Sequence, residues 1–448
     1  MDKKTLFSER NLILRINRNI TMRHYHYTCF NCKISFSAAQ IENNFLYLCP
    51  ECGKSEKNMP LKGVLRIEYD YNTLTQRMKK DKFLMNSSGE IWSYPRLWPL
   101  EFYETSGGYS IEAISKNQLD KLCLSSNPIT QFVVNGRAIQ IFDDTRNPTL
   151  SYKDRASILV CLKAKQMGNT EIAAASTGNA ASSLAGICAR LGLHAHLFVP
   201  STIPAAKRIQ IQAFDAAIYM VDGNYDEAFD LSLDISREKN WYNRNTAYNP
   251  LTIEGKKSAS FDIFLANKGE IPDMIFVPVG DGVIISGLYK GFWELQQLGW
   301  IKKLPRLIAV QANGSDALVR FLRDGNFVYQ KSDTIADSIC AGAPRNLYMA
   351  AYAVDQSHGQ AISVSDEQII SAQKYIAQKL GILVEPAAAA SFAGFQKYVS
   401  TRENSNDKIL LMFTGNGMKD LNSLEKWNPS PELRSVAEWQ KYFKNPNR

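Results

Sequence analysis

Histidine is scarce in this 448-residue chain, with five in all, and His194, His196 and His358 show neither metal spacing nor a nucleophile partner. This argues against histidine-centred hydrolysis and against a catalytic histidine metal site. No run approaches the roughly 18 apolar residues of a membrane span, and the N-terminal stretch MDKKTLFSERNLILRINRN lacks a signal-peptide apolar block and cleavage site. A cytoplasmic protein is therefore expected, with no membrane partner. Basic stripes and arms are also missing. Lys plus Arg exceed Asp plus Glu by 52 − 44 = 8, but the excess is scattered, which suits anionic metabolites better than nucleic acid. A disulfide framework is missing too, because four of the eight cysteines fall in two CxxC pairs and the rest stand alone in apolar or helical contexts.

What is present is enough apolar sequence, 45% of residues, to build real cores. At this length about two or three domains are expected. After residue 170 the chain alternates strand and helix patterns: EIAAAST, then NAASSLAGICARLG; HAHLFVP, then AAKRIQIQAFDA; AIYMVDG, then NYDEAFDLSLDISREKN. A second series runs through MIFVPVG, a helix over 283–298, RLIAVQA, helices over 316–323 and 366–380, EPAAAASFAGF and KILLMFTG. Such alternation predicts an α/β protein with two parallel-sheet lobes covered by helices on both faces. Residues 66–150 resolve only into strands and loops. The expected boundaries are a module over 1–65, a large domain begun by 66–155 and completed by 255–448, and a small α/β domain over 156–254.

Cys29-x2-Cys32-x16-Cys49-x2-Cys52 has the spacing of a four-thiolate zinc ribbon. Four thiolates close the coordination shell, so the zinc is expected to be structural. His24 and His26, just upstream, are then surplus and read as surface residues. His194 and His196 read as structural residues at the start of a strand.

The chemistry concentrates at strand-to-helix junctions, where ligands of such folds bind. Asn147-Pro-Thr-Leu-Ser-Tyr-Lys-Asp-Arg-Ala156 presents one lysine, Lys153. A lysine that captures an aldehyde cofactor needs neighbours: backbone amides for a phosphate and a hydrogen-bonding group for a ring nitrogen. Ser176-Thr-Gly-Asn-Ala-Ala181 offers free amides for a carboxylate, and its Asn179 can donate to a phenolic oxygen. Val277-Pro-Val-Gly-Asp-Gly-Val-Ile-Ile-Ser-Gly287 offers amides at a helix start for a phosphate, although Asp281 adds an opposing charge. Phe413-Thr-Gly-Asn-Gly-Met-Lys-Asp420 puts the Thr414 hydroxyl at the end of the last strand.

In this order NPTLSYKDRAS, ASTGNAASSLAG, VPVGDGVIISG, EPAAAASFAG and TGNGMKD resemble threonine synthase and its relatives among the fold type II pyridoxal-phosphate (PLP) enzymes, over roughly residues 90–420. The resemblance implies PLP held through Lys153, with Asn179 on its 3′-oxygen and Gly280, Asp281, Gly282, Val283 and Ile284 around its phosphate. It implies Thr414 at the ring nitrogen and Ser176, Thr177 and Gly178 on the substrate carboxylate. It further implies a homodimer and a small, phosphorylated amino-acid substrate. Lys207, Arg208 and Arg155 are candidates to hold the departing phosphate. The reaction implied is removal of phosphate from O-phosphohomoserine with addition of water, giving threonine. Replacement at Cβ of O-phosphoserine or another activated serine, as in cysteate or diaminopropionate synthases, is the alternative within this chemistry. A non-catalytic binding protein is the alternative outside it. Glu104-Thr-Ser-Gly-Gly-Tyr-Ser-Ile111 and the segment 334–345 depart from the family pattern, as do Asp281, Val283 and Asn416.

Overall fold

The computed structural model describes residues 24–85, 94–105, 108–124, 128–176, 178–223, 225–401, 406–428 and 430–444. A small three-stranded antiparallel sheet comes first, with β1 (Tyr25–Cys29) between β2 (Ser35–Ser37) and β3 (Leu65–Tyr69). A hairpin of β4 (Phe102–Thr105) and β5 (Gly108–Ile111) follows. Then come the strands β6 (Ile129–Val134), β7 (Arg137–Asp143), β8 (Glu171–Ala175), β9 (His194–Pro200), β10 (Ala217–Val221), β11 (Tyr242–Asn243), β12 (Met274–Pro278), β13 (Arg306–Ala312), β14 (Gln360–Val364) and β15 (Ile409–Phe413).

They form two sheets, a parallel one in the order β10-β9-β8-β11 and a six-stranded one in the order β14-β13-β12-β15-β7-β6. The larger is parallel except at its edge, where β6 pairs antiparallel to β7 through an Asn135-Gly136 turn with both φ angles positive, at 51° and 76°. The expected all-parallel pattern is corrected there. A second correction concerns 66–150, which also holds short helices at Tyr71–Arg77, Lys80–Met85 and Lys116–Asp120.

The helices that frame the cleft are α1 (Lys153–Gln166), α2 (Asn179–Leu191), α3 (Ala205–Ala213), α4 (Tyr225–Lys239), α5 (Leu251–Lys256), α6 (Val283–Gln297) and α7 (Pro386–Ser400). Alternate strand residues show why both sheet faces are apolar. On β8, Ile172 and Ala174 share a core with Leu184 and Ile187 of α2, while Ala173 and Ala175 pack with Ala228 and Phe229 of α4. On β12, Ile275 and Val277 face one core, and Met274 and Phe276 pack with Phe392 and Phe395 of α7. Gly255 sits where α5 crosses α1: a Cβ there would stand 2.4 Å from the Arg155 carbonyl oxygen, so the helices touch backbone to backbone. No helix of the described residues is long and apolar enough to cross a membrane.

The cysteine module leans on these helices through buried polar contacts. Tyr25 and Tyr27 donate to Glu42, which pairs with Lys163 of α1 at 3.0 Å. Tyr69 donates to Glu254 of α5 at 2.7 Å, and Lys257 joins Glu254 to Glu294 of α6.

His24 is not the surface residue expected. It is half-buried against the rings of Tyr25, Tyr69 and Phe102, at 5.5, 5.8 and 5.3 Å. Burial, helped by Arg96, Lys163 and Lys257, pushes its pKa down to about 4, below the unfolded value near 6.5. The unfolded chain therefore binds the proton more readily, and the stability this site contributes is complete above pH 6.5 and lost as pH falls through 4. His24→Phe should remove an acid sensitivity on the order of 2 kcal/mol, measured as the urea midpoint at pH 7 against pH 4.5.

Candidate active site

Lys153 opens α1, the helix that follows β7. The last motif fixes that helix start: Tyr152 N–H donates to the Thr414 carbonyl at 2.9 Å, and Asn416 N–H to the Leu150 carbonyl at 3.1 Å. Lys153 and Thr414 thus line one cleft at the carboxyl ends of β7, β8, β12 and β15, together with Ser176, Asn179 and residues 280–284. The Lys153 amine makes no hydrogen bond to a described residue, and burial, with Arg244 and Lys207 near, holds it below the ordinary lysine value against the pull of Glu385.

The N–H groups of Gly280, Asp281 and Gly282 donate to no described main-chain acceptor, as expected just before a helix. Gly282 has φ +86°, and a Cβ on Gly280 would stand 2.8 Å from Ile339 Cα, so both glycines are required by the turn and its close neighbour. Asp281 is turned aside: its carboxylate accepts the Arg345 N–H at 3.0 Å. Asn179 donates to both oxygens of Glu385, at 2.8 and 2.9 Å, and to Ser338 at 3.0 Å, which leaves its own carbonyl oxygen buried without a partner.

Gly178 lets a second lysine cross beneath the turn, since a Cβ there would lie 2.1 Å from Lys207 Cδ. Lys207 is buried and pairs with Asp337 at 2.7 Å. Burial opposes its charge, but Asp337 and Glu385 hold its pKa above the usual lysine value.

The sequence pattern of the pyridoxal-phosphate dependent enzyme family matches residues 132–415. A threonine synthase of Methanocaldococcus jannaschii is 31% identical over 402 residues, covering 88% of this chain and 92% of that protein. One from Halalkalibacterium halodurans is 36% identical over 282 residues, covering 62% of this chain and 77% of that protein. The chain belongs to the threonine synthase family of pyridoxal-phosphate dependent enzymes. Solved structures give the same fold: O-ureido-L-serine synthase at TM-score 0.60, with 15% identity over 73% of this chain and 99% of that one, and a Solanum lycopersicum threonine deaminase at 0.57, with 20% identity over 80% and 93%.

For a member of the threonine synthase family the cleft fits the cofactor: an unpaired lysine amine, main-chain donors at a helix start and a threonine hydroxyl share one space, while Asn179, its NH2 committed to Glu385 and Ser338, leaves only an acceptor oxygen free and does not show the donor expected for the 3′-oxygen. Not every expected residue joins them. Arg208 is exposed, because one further residue along α3 turns its side chain about 100° away from that of Lys207. Arg155 is buried but committed to Asp144 and Asp262, each at 2.6 Å, so it braces α1 and does not face the cleft. Thr177 lies outside the described residues. The described residues of the 104–111 segment belong to β4 and β5 and do not line the cleft, whereas Asp337–Ala341, from the other divergent segment, do.

Sequence reasoning missed Glu385, Ser338, Lys256 and Tyr225. Glu385 carried a usable signal, an acidic residue directly before the first-turn proline of α7; the others carried none.

In the cysteine module the four sulfur atoms lie within 4.8 Å of one another, with Cys29 and Cys52 at 3.4 Å and Cys32 and Cys49 at 3.6 Å. Tetrahedral Zn–S bonds require sulfur separations of about 3.8 Å, so four thiolates this close could hold a metal ion. His196 is structural as expected, bonded to Glu171 at 2.6 Å and stacked on Trp241 at 3.6 Å.

Proposed function

We propose that the chain converts O-phosphohomoserine to threonine and phosphate, with PLP held by Lys153, Asn179, the 280–284 loop and Thr414. The observation that carries this reading is Lys207, a second buried cation set beside the cleft by Asp337. An enzyme that expels phosphate needs such a charge; one that only deaminates a hydroxyl amino acid does not. The identity to threonine synthases over most of the chain supports the same reading.

When bound, PLP supplies an electron sink for charge developing at the substrate carbons. The protein supplies the rest. Ser176 and the amides after β8 orient the substrate carboxylate, and Lys153, with its depressed basicity, moves protons at Cα, Cβ and Cγ. Lys207 stabilises the phosphate as its bond to Cγ breaks, and a water then adds its oxygen at Cβ. The Thr414 hydroxyl, as a neutral partner, leaves the ring nitrogen largely unprotonated, which restrains competing losses from Cα.

The deciding measurement is phosphate release with O-phosphohomoserine and O-phosphoserine side by side, with the amino-acid product identified. Threonine from the first at a kcat/KM at least about 100-fold above the second is expected; a preference for O-phosphoserine would overturn the assignment. Lys207→Ala should raise KM for the phosphorylated substrate roughly tenfold or more while the cofactor absorbance stays in place.

The thiolate cluster is proposed to hold one structural zinc ion that locks the module onto α1 and α5.

A further inference from the structure

Lys256, the last residue of α5, is the second lysine that lines the cleft beside Lys153, and nothing in the proposed catalytic cycle uses it. It is 1% exposed, it lines the cleft, and its amine makes no hydrogen bond or ion pair with any described residue. Buried lysines are rarely left so. Other buried cations of the fold have partners: Lys257 pairs with Glu254 and Glu294, Lys290 with Glu294, and Arg345 with Asp226. Lys256 feels only other cations closely, Lys153 and Arg244, with Asp281 as the opposing charge. Arg244 adds a buried Nη2 that is also without a partner.

The position of Lys256 says which anion would complete it. Its Cβ would lie 2.9 Å from a Cβ on Gly287, in the second turn of α6, so the side chain starts beside the helix whose first amides form the 280–284 loop. The backbone is fixed as well, since the Tyr152 hydroxyl donates to the Lys256 carbonyl at 2.8 Å. The proposed substrate side is elsewhere, at Ser176 in the lining, with Lys207 behind Gly178 outside it. Asp281, although its carboxylate is turned aside onto the Arg345 N–H, lies in the same loop, and a cation beside that loop lessens repulsion between a dianionic phosphate and a nearby carboxylate.

Resting on the cofactor assignment above, we propose that Lys256 binds the phosphate of PLP together with the main-chain N–H groups of the 280–284 loop and offsets the charge of Asp281. The cradle in this chain is then a loop plus a lysine. Burial pushes the free Lys256 amine well below the ordinary lysine value, and a dianion at this position would restore its charge.

The test uses holoenzyme of wild type, Lys256→Met, Lys256→Gln and Lys256→Arg, each dialysed to equilibrium against graded PLP or graded pyridoxal, which lacks the phosphate. Bound cofactor is read from its absorbance near the visible edge. Lys256→Met and Lys256→Gln should weaken PLP about tenfold or more and leave pyridoxal within about twofold, with Lys256→Arg recovering most of the loss. Equal weakening of PLP and pyridoxal would overturn the inference in favour of a packing role. Unchanged PLP affinity with a raised KM for phosphorylated substrate would overturn it in favour of a substrate contact. Wild-type protein that takes up no PLP would defeat the cofactor assignment itself and this inference with it, whereas loss of the lysine effect alone leaves that assignment standing.

Discussion

Lys153→Ala should lower kcat by roughly 10³-fold or more and abolish the absorbance near the visible edge that a lysine-linked PLP gives. The size of the effect follows from what surrounds the amine. It is the one lysine that opens α1 against the Thr414 segment, and burial lowers its pKa against the pull of Glu385, which eases both bonding to the cofactor and proton exchange. The two other buried lysines nearby are set apart from it: Lys207 is tied to Asp337, and Lys256 starts beside Gly287 in the second turn of α6. The variant should still take up PLP non-covalently through the 280–284 loop, so bound phosphate can be assayed after denaturation. Retained turnover in Lys153→Ala protein of normal fold would remove the basis of the assignment.

Cys49→Ser should strip the metal from the cysteine module and lower the first thermal transition by roughly 5 °C or more. Cys49 is buried, and Gly53 packs so closely on it that a Cβ would lie 2.5 Å from the Cys49 carbonyl oxygen, which leaves a knuckle of one shape only. With three thiolates the coordination shell is open and the metal affinity falls steeply. The loss extends beyond the module, because Glu42 and Tyr69 meet Lys163 and Glu254 in buried contacts whose rupture strands charges. Cys123→Ser is the control, since Cys123 is exposed and outside the cluster; its metal content and transition should match wild type. Elemental analysis with calorimetry decides it: a Cys49→Ser protein as stable as wild type would show that the module does not depend on a metal.

Much of this was readable before any coordinates. HAHLFVP spans β9 residue for residue, and the two strand-helix series fall where the periodicity places them, because buried parallel strands are short apolar runs and their helices are amphipathic. The β6–β7 hairpin was legible in principle through Asn135-Gly136, yet Thr130, Gln131 and Gln140 dilute the alternation that normally accompanies such a turn. Asn179, the 280–284 loop and Thr414 could be placed together as candidates because each follows a recognisable strand, whereas Lys153, ten residues beyond β7, is singled out by the NPTLSYKDRAS motif alone. Glu385, Ser338 and Lys256 could not be placed, since Asn179 and Glu385 are 206 residues apart and only the folded chain joins them. The error at Arg208 has a similar origin, for Lys207 and Arg208 are equal in composition and differ only in which way a helix turns them.

The glycine at the crossing of α1 and α5 separates two kinds of evolutionary freedom. Lys153 and Lys256 ride on helices held backbone to backbone at Gly255, while Ser176 and Lys207 are presented by the chain around β8 and β9. New side chains in the second group alter which amino acid is accepted without shifting the vitamin, so a single scaffold can diversify its diet while its chemistry stays constant.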